Sequence, residues 1–166
     1  MKEKLKNGPW ELIACDVVPD EIMEIQKRVV YWSSQSTKID LILTSGGTGF
    51  AQRDVTPEAI MPIITKNAPG LVHLMLSKSL EITQMAALSR PVCGTVNKTL
   101  VLTLPGSPKG AAENFDSVAS VIPHALDLIR EAKDITDKFH SGINGHDCVK
   151  RLDNISIDGT RFLLNF

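Results

Sequence analysis

Ile39-Asp40-Leu41-Ile42-Leu43-Thr44-Ser45-Gly46-Gly47-Thr48-Gly49-Phe50, followed closely by Arg53-Asp54-Val55-Thr56-Pro57-Glu58, is the stretch that decides the fold. Residues 39–44 are short and almost wholly apolar, the pattern of a strand buried on both faces of a parallel sheet. A glycine cluster ends the run. Thr56-Pro57-Glu58 then supplies a capping hydroxyl, a proline suited to the first helical position and an acid that the helix dipole favours, which predicts a helix from Thr56 to about residue 66.

Similar units lie on either side. Upstream, residues 11–18 are rich in β-branched and aliphatic side chains and stop at Pro19, which reads as a strand. Asp20 and Glu21 open a helix whose apolar face is Ile22, Ile25, Val29 and Trp32, with Lys27 and Arg28 later in the run. The polar cluster at 33–37 separates it from the strand at 39–44, and strand, helix, strand implies a right-handed βαβ unit. Downstream, Pro69-Gly70 interrupts the chain before short helical stretches at 71–80 and 83–89. Residues 99–104 then form a buried strand halted by Pro105-Gly106-Ser107-Pro108. Phe115, Val118, Ile122, Ala125 and Ile129 mark the face of a long helix, with Pro123 a kink or a break into two helices. Periodicity weakens from residue 133, and the stretch from Ser141 to Phe166 is not expected to join the core.

The expected fold class is α/β: a mainly parallel sheet with helices on both faces and a ligand crevice at the carboxyl ends of the strands. At 166 residues and 18.1 kDa the chain fits one compact domain. A net charge of -1 gives no field to attract a polyanion, so no nucleic-acid partner is expected. Apolar runs fall far short of the roughly 20 residues that cross a bilayer, and residues 1–6 lack the apolar segment of a secretory signal, so no transmembrane segment and a cytoplasmic location are expected. Cys15, Cys93 and Cys148 form no CxxC pair, which argues for reduced thiols and against zinc.

Two loops fall at the strand ends where chemistry belongs. Ser45-Gly46-Gly47-Thr48-Gly49 can turn several N–H groups toward one anion, although a tight turn with no ligand reads equally well from glycines alone. It matches neither GxxxxGK[ST] nor GxGxxG. Pro105-Gly106-Ser107-Pro108-Lys109-Gly110 occupies the matching position after residues 99–104 and opens a helix, again suited to an anion. Asp54 beside the first loop would repel a polyphosphate unless a bridging Mg²⁺ intervened. Asp20 should lie on the same side, although spacing alone favours a plain first-turn acid. Arg53 could contact phosphate or be solvated. His73 and His124 read as packed or surface residues. No Gly-x-Ser-x-Gly elbow is present and Ser107 has no evident histidine partner.

The motif Leu41 to Phe50 with Arg53-Asp54-Val55-Thr56-Pro57-Glu58-Ala59 resembles the MoaB/Mog molybdopterin adenylyltransferase domain family, particularly the gephyrin-like G domains. Val18-Pro19-Asp20-Glu21, Ala68-Pro69-Gly70, Leu88-Ser89-Arg90-Pro91, Leu104-Pro105-Gly106-Ser107-Pro108-Lys109-Gly110 and Pro123-His124-Ala125 extend the match in family order over about residues 11–132. The resemblance implies a three-layer α/β fold and Mg²⁺-dependent transfer of AMP from ATP to molybdopterin in molybdenum cofactor biosynthesis, with release of pyrophosphate. It maps the catalytic and metal-binding aspartates onto Asp20 and Asp54. Ser45, Gly46, Gly47, Thr48 and Gly49 become nucleotide and pterin-phosphate binders, Pro105, Gly106 and Ser107 the facing wall, and Ser89 and Arg90 weaker contributors. A homotrimer is also implied.

Family members open with an apolar strand and a Ser-Asp motif ahead of Val-Pro-Asp-Glu, whereas only residues 1–10 precede that region here. The family's first strand is therefore expected to be missing, as in a truncated or spliced form, leaving a gap or an exposed edge in the sheet. The resulting division is a non-family N-terminus at 1–10, a MoaB/Mog-like domain at 11–139 and a divergent tail at 140–166 that need not be ordered. An alternative function goes with it: a catalytically impaired molybdopterin-binding, oligomerisation or scaffold module.

Overall fold

The computed structural model describes residues 10–34 and 39–130, and the backbone of residues 160–165. The elements are β1 (Trp10–Asp16), α1 (Ile22–Trp32), β2 (Leu41–Ser45), α2 (Thr56–Ile60), β3 (Lys66–Asn67), α3 (Pro69–Ile82), β4 (Cys93–Val96), β5 (Thr99–Leu104), α4 (Pro108–Val118), α5 (Ile122–Ile129) and β6 (Thr160–Asn165). Short 3₁₀ turns cover Met61–Ile63 and Gln84–Leu88. One sheet runs in the order β1-β6-β2-β5-β4-β3. Its four strands β1, β6, β2 and β5 are parallel, while β4 and β3 continue it antiparallel.

The apolar runs of β2 and β5 are divided between two cores by the period of two along a strand. Leu41, Leu43, Leu100, Leu102 and Leu104 pack on one face with Met75 of α3, Phe115 of α4 and Ile122 and Leu126 of α5. Ile42 and Val101 face the other way, onto Ile25, Val29 and Trp32 of α1 and Ala59 and Ile60 of α2. Helices on both faces are thus a direct consequence of strands that are apolar on both faces, and the layers are those of the expected three-layer α/β fold. Trp10 extends the first core through an edge-on contact with Phe115, ring centroids 5.6 Å apart.

Several local expectations are corrected. The helix after the glycine loop is short: Pro62 lacks an N–H donor, the chain passes through the 3₁₀ turn Met61–Ile63, and Lys66–Asn67 pair with β4 instead of extending a helix. Helix α1 starts at Ile22 with Glu21 as its N-cap, so Asp20 lies ahead of the helix and is not a first-turn acid. At Pro123, by contrast, the expected break into two helices holds: the proline lies in the first turn of α5, and the helices part after Val118. Strand β4 had no counterpart in the sequence reading; it reaches β5 through Asn97-Lys98, with Asn97 at a φ of 55°.

The largest correction concerns residues 160–165. They form β6, between β1 and β2, so the expected gap in the sheet is filled and this part of the 140–166 tail belongs to it. Ala14 of β1 and Ile42 of β2 both register with Leu163, and Asp16 and Thr44 both with Asn165. A strand bonded along both sides holds its neighbours in place without contributing a turn to either.

Candidate active site

The parallel strands end at one level, since Ser45 of β2 registers with Leu104 of β5, and both glycine-containing loops leave from there. They are tied at the start. The Gly46 N–H donates to the Leu104 carbonyl at 3.0 Å and the Ser45 hydroxyl to the Pro105 carbonyl at 3.0 Å. Gly106 approaches so closely that a Cβ there would stand 3.3 Å from the Gly46 Cα.

Thr56 was read as a helix cap, but its side chain does something else. Val55 is the cap position, and the Thr56 hydroxyl donates to the Gly46 carbonyl at 3.0 Å while the Thr56 N–H donates to the Gly47 carbonyl at 3.0 Å. From the other side the Arg90 N–H donates to the Thr48 carbonyl at 2.8 Å, and its guanidinium donates to the Gly49 carbonyl through Nε at 2.9 Å and Nη2 at 2.6 Å. All four carbonyls from Gly46 to Gly49 are therefore anchored. No peptide among the described residues is cis, and in a planar trans peptide the N–H points opposite to the carbonyl. The N–H groups of Gly47, Thr48 and Gly49 are turned away from Thr56 and Arg90 and make no bond among the described residues. Gly46, with φ 103°, has open space where a Cβ would stand, whereas a Cβ on Gly47, φ 63°, would collide with the Thr56 hydroxyl. Of the loop donors expected from sequence, Gly46 is thus spent within the protein, and its three successors keep unengaged N–H groups.

Asp54 closes the turn that follows. Its Oδ2 accepts from the Ala51 N–H at 2.8 Å, its own N–H donates to the Ala51 carbonyl at 2.8 Å, and a Cβ on Gly49 would lie 2.8 Å from that Oδ2. The carboxylate therefore lies against the glycine loop. Asp20, on the β1–α1 connection, pairs at 3.1 Å with Arg53, the residue before Asp54. Arg90 also donates to the Asp54 carbonyl at 3.0 Å and pairs with Glu58, holding the Glu58 carboxyl below the usual carboxylate range chiefly through that hydrogen bond. Phe50 lies under the guanidinium, 5.1 Å from ring centroid to Cζ.

Ser107 caps α4 by accepting from the Gly110 N–H at 3.1 Å. With Ser89, Pro105, Thr83 and Asn114 it lines a cavity of about 220 Å³ beside the second loop. Ser89 and Arg90, adjacent in sequence, thus face different parts of the site. Among the described residues no group of three or more His, Cys, Asp or Glu side chains could hold a metal by itself. Mg²⁺ is usually held by one or two carboxylates together with water and substrate phosphates, so the Asp54 carboxylate against a loop with unengaged N–H groups is a donor set that suits it, with Asp20 as a second carboxylate on the same side.

A family model described as "Probable molybdopterin binding domain" matches residues 1–124. The chain belongs to this family. A molybdopterin adenylyltransferase from Helicobacter pylori is 40% identical over 114 residues, 69% of this chain and 64% of the relative. Gephyrin from Dictyostelium discoideum is 51% identical over 113 residues, which are 68% of this chain but only 16% of that protein. The chain therefore spans less than two thirds of these relatives. Among solved structures, the molybdopterin biosynthesis enzyme MoaB from Thermus thermophilus superposes with a TM-score of 0.72 at 49% identity, covering 77% of this chain and 80% of that one. This is a domain of the molybdenum cofactor biosynthesis family. No helix among its described residues is long and apolar enough to cross a membrane.

Proposed function

We propose that this domain transfers AMP from ATP to molybdopterin. One observation carries the reading: four consecutive loop carbonyls are anchored, leaving the N–H groups of Gly47, Thr48 and Gly49 unengaged next to the Asp54 carboxylate. A nest of backbone donors beside an acid suits a polyphosphate whose charge is shared with a cation, and the named relatives include an adenylyltransferase.

The reaction forms a bond between a terminal phosphate oxygen of molybdopterin and the α-phosphorus of ATP, and breaks the bond from that phosphorus to the oxygen bridging to the β-phosphate. Pyrophosphate leaves with the electron pair. Bound through Asp54 and Asp20, Mg²⁺ would neutralise charge that builds on the phosphate oxygens. Gly47, Thr48 and Gly49 hold phosphate through their N–H groups, and Pro105, Gly106 and Ser107 form the facing wall. The cavity at Ser89 and Ser107 receives the pterin end. The protein's contribution is mainly orientation and fixed dipoles, which cost no reorganisation as charge develops.

Purified protein supplied with Mg²⁺, ATP and molybdopterin should release pyrophosphate, and Asp54→Asn should abolish the release while the protein stays folded. A folded wild-type protein that binds molybdopterin but releases none would instead favour the binding-module reading. A surface feature supports assembly in either case. Leu80, Ile82, Met85 and Leu88 are exposed at the end of α3 and in the turn after it, a contiguous stretch of sequence with unusual apolar exposure for a monomer. We read this face as a contact between copies in a homotrimer, and sedimentation of the wild type against Met85→Glu tests it.

A further inference from the structure

We propose that Arg90 is a positioning residue, whose side chain fixes the last peptide of the glycine loop and its distance from the Asp54 turn without touching substrate. The inference rests on the adenylyl-transfer reading and assigns to Arg90 a role different from phosphate binding. An arginine beside a phosphate loop is ordinarily read as a cationic contact, but here the donors are committed to the protein. Nε and Nη2 donate to the Gly49 carbonyl, Nη2 also to the Asp54 carbonyl, and Nη1 to Glu58. A guanidinium has five N–H donors, so little remains for a ligand, and Glu58 offsets the charge that would attract one. One face of the group is further occupied by Phe50.

The targets of these bonds give the role its content. Fixing the Thr48 carbonyl through the Arg90 N–H fixes the Gly49 N–H in the same peptide plane, and fixing the Gly49 carbonyl does the same for the Phe50 N–H. The bond to the Asp54 carbonyl holds the acid-bearing turn to the same guanidinium. The side chain therefore joins the last peptide of the glycine loop to the turn that bears the candidate metal carboxylate, while the Arg90 backbone N–H orients the peptide before it. A lysine ammonium is a single point with no planar fork and cannot span Gly49, Asp54 and Glu58 in this arrangement.

The test compares full-length wild type, Arg90→Lys, Arg90→Gln and Glu58→Gln, reading steady-state pyrophosphate release at varied ATP and Mg²⁺ and amide hydrogen exchange across residues 47–51. Expected is a kcat lowered at least tenfold in Arg90→Lys, close to the loss in Arg90→Gln, with exchange at 47–51 at least tenfold faster in both and a milder effect in Glu58→Gln. Near-wild-type kcat in Arg90→Lys, or unchanged loop exchange, would overturn the proposal and restore a simple charge role. Absence of pyrophosphate release by the wild type would remove the reaction while the exchange comparison still decides the positioning role. Should the Arg90 variants fail to fold, the wild type supplies the decision by NMR. A slowly exchanging Arg90 Nε–H is expected, and exchange as fast as in a solvated arginine would overturn the inference.

Discussion

Asp20 and Arg53 lie 33 residues apart in sequence, and their side chains meet at 3.1 Å across the mouth of the crevice. Both are well exposed, Arg53 at 85% and Asp20 at 43%, so the pair contributes little to stability, typically below about 1 kcal/mol. Its consequence is local, because the guanidinium competes for a carboxylate assigned here to a cation. Arg53→Ala should leave the melting temperature nearly unchanged and lower the Mg²⁺ concentration needed for half-maximal pyrophosphate release. Titrating Mg²⁺ against initial rate checks this, and an unchanged or higher requirement would count against Asp20 as a metal-binding group.

Gly47→Ala should be destabilising for two separable reasons. A φ of 63° is left-handed and costs an alanine about 1–2 kcal/mol, and the added Cβ would also displace the Thr56 hydroxyl that holds the Gly46 carbonyl. Urea unfolding should give a loss of at least that strain, together with loss of nucleotide binding. A stable variant with intact binding would show that the loop can be rebuilt without its anchor.

The thiols should differ in reactivity. Cys15 is exposed, whereas Cys93 is buried in β4 and burial pushes its thiol up to about 12. Alkylation of the native protein near neutral pH should therefore modify Cys15 and spare Cys93, as peptide mapping would show. The same shift carries a pH dependence. An unfolded Cys93 loses its proton near 9 while the folded one keeps it to about 12. Between those values the folded state binds more protons, and stability falls as pH rises, by up to about 1.4 kcal/mol per unit from this group. Cys93→Ala should flatten that alkaline slope in denaturant titrations.

Glu58 carries the opposite sign. Its carboxyl is held below the usual range by Arg90, so its contribution is present above the unfolded value near 4.5 and is lost as pH falls through the folded value. Because Glu58 is half exposed the stability effect is small. Acidification should nonetheless loosen the Arg90 contact, seen as faster amide exchange at 47–51 in the acid range, and Glu58→Gln should remove that pH dependence.

Leu163→Pro tests the strand in the middle of the sheet. Leu163 is bonded into a strand with neighbours on both sides, and proline there removes a ladder donor. Amide protection should fall in both β1 and β2, residues 12–16 and 41–44, as well as in β6. Protection lost in neither neighbour would show that the sheet does not depend on β6.

What could be read from sequence follows the range of the interactions. The unit from Ile39 to Glu58 and the matching one from Thr99 to Gly110 declare themselves because apolar runs, glycines and prolines act within a few residues. Strand β4 escaped because it is only four residues long and contains Gly94. Its signal was the turn residue Asn97 placed two residues ahead of the run at 99–104. The resemblance marked Arg90 only as a weaker contributor, and the partners of its side chain, Gly49, Asp54 and Glu58, were not legible because they lie 41, 36 and 32 residues upstream. Thr56 was misread for a similar reason: its hydroxyl takes a carbonyl ten residues back instead of capping its own helix. Residues 160–165 have a strand-like composition, but no local signal shows which neighbours they join.

That last strand also sets the order of assembly. Strands β1 and β2 are separated by α1 alone, yet neither finds its full set of backbone partners until Thr160–Asn165 arrives between them. Pairings this far apart in sequence raise the contact order and close late, because the entropy of bringing distant segments together is lost before their contacts reward it. On the ribosome, the β2–β5 pair and its flanking helices can consolidate first, while β1 waits with an unsatisfied side for a segment still being synthesised. The interval before Thr160 emerges is when the nascent domain is most open to pairing with the wrong strand.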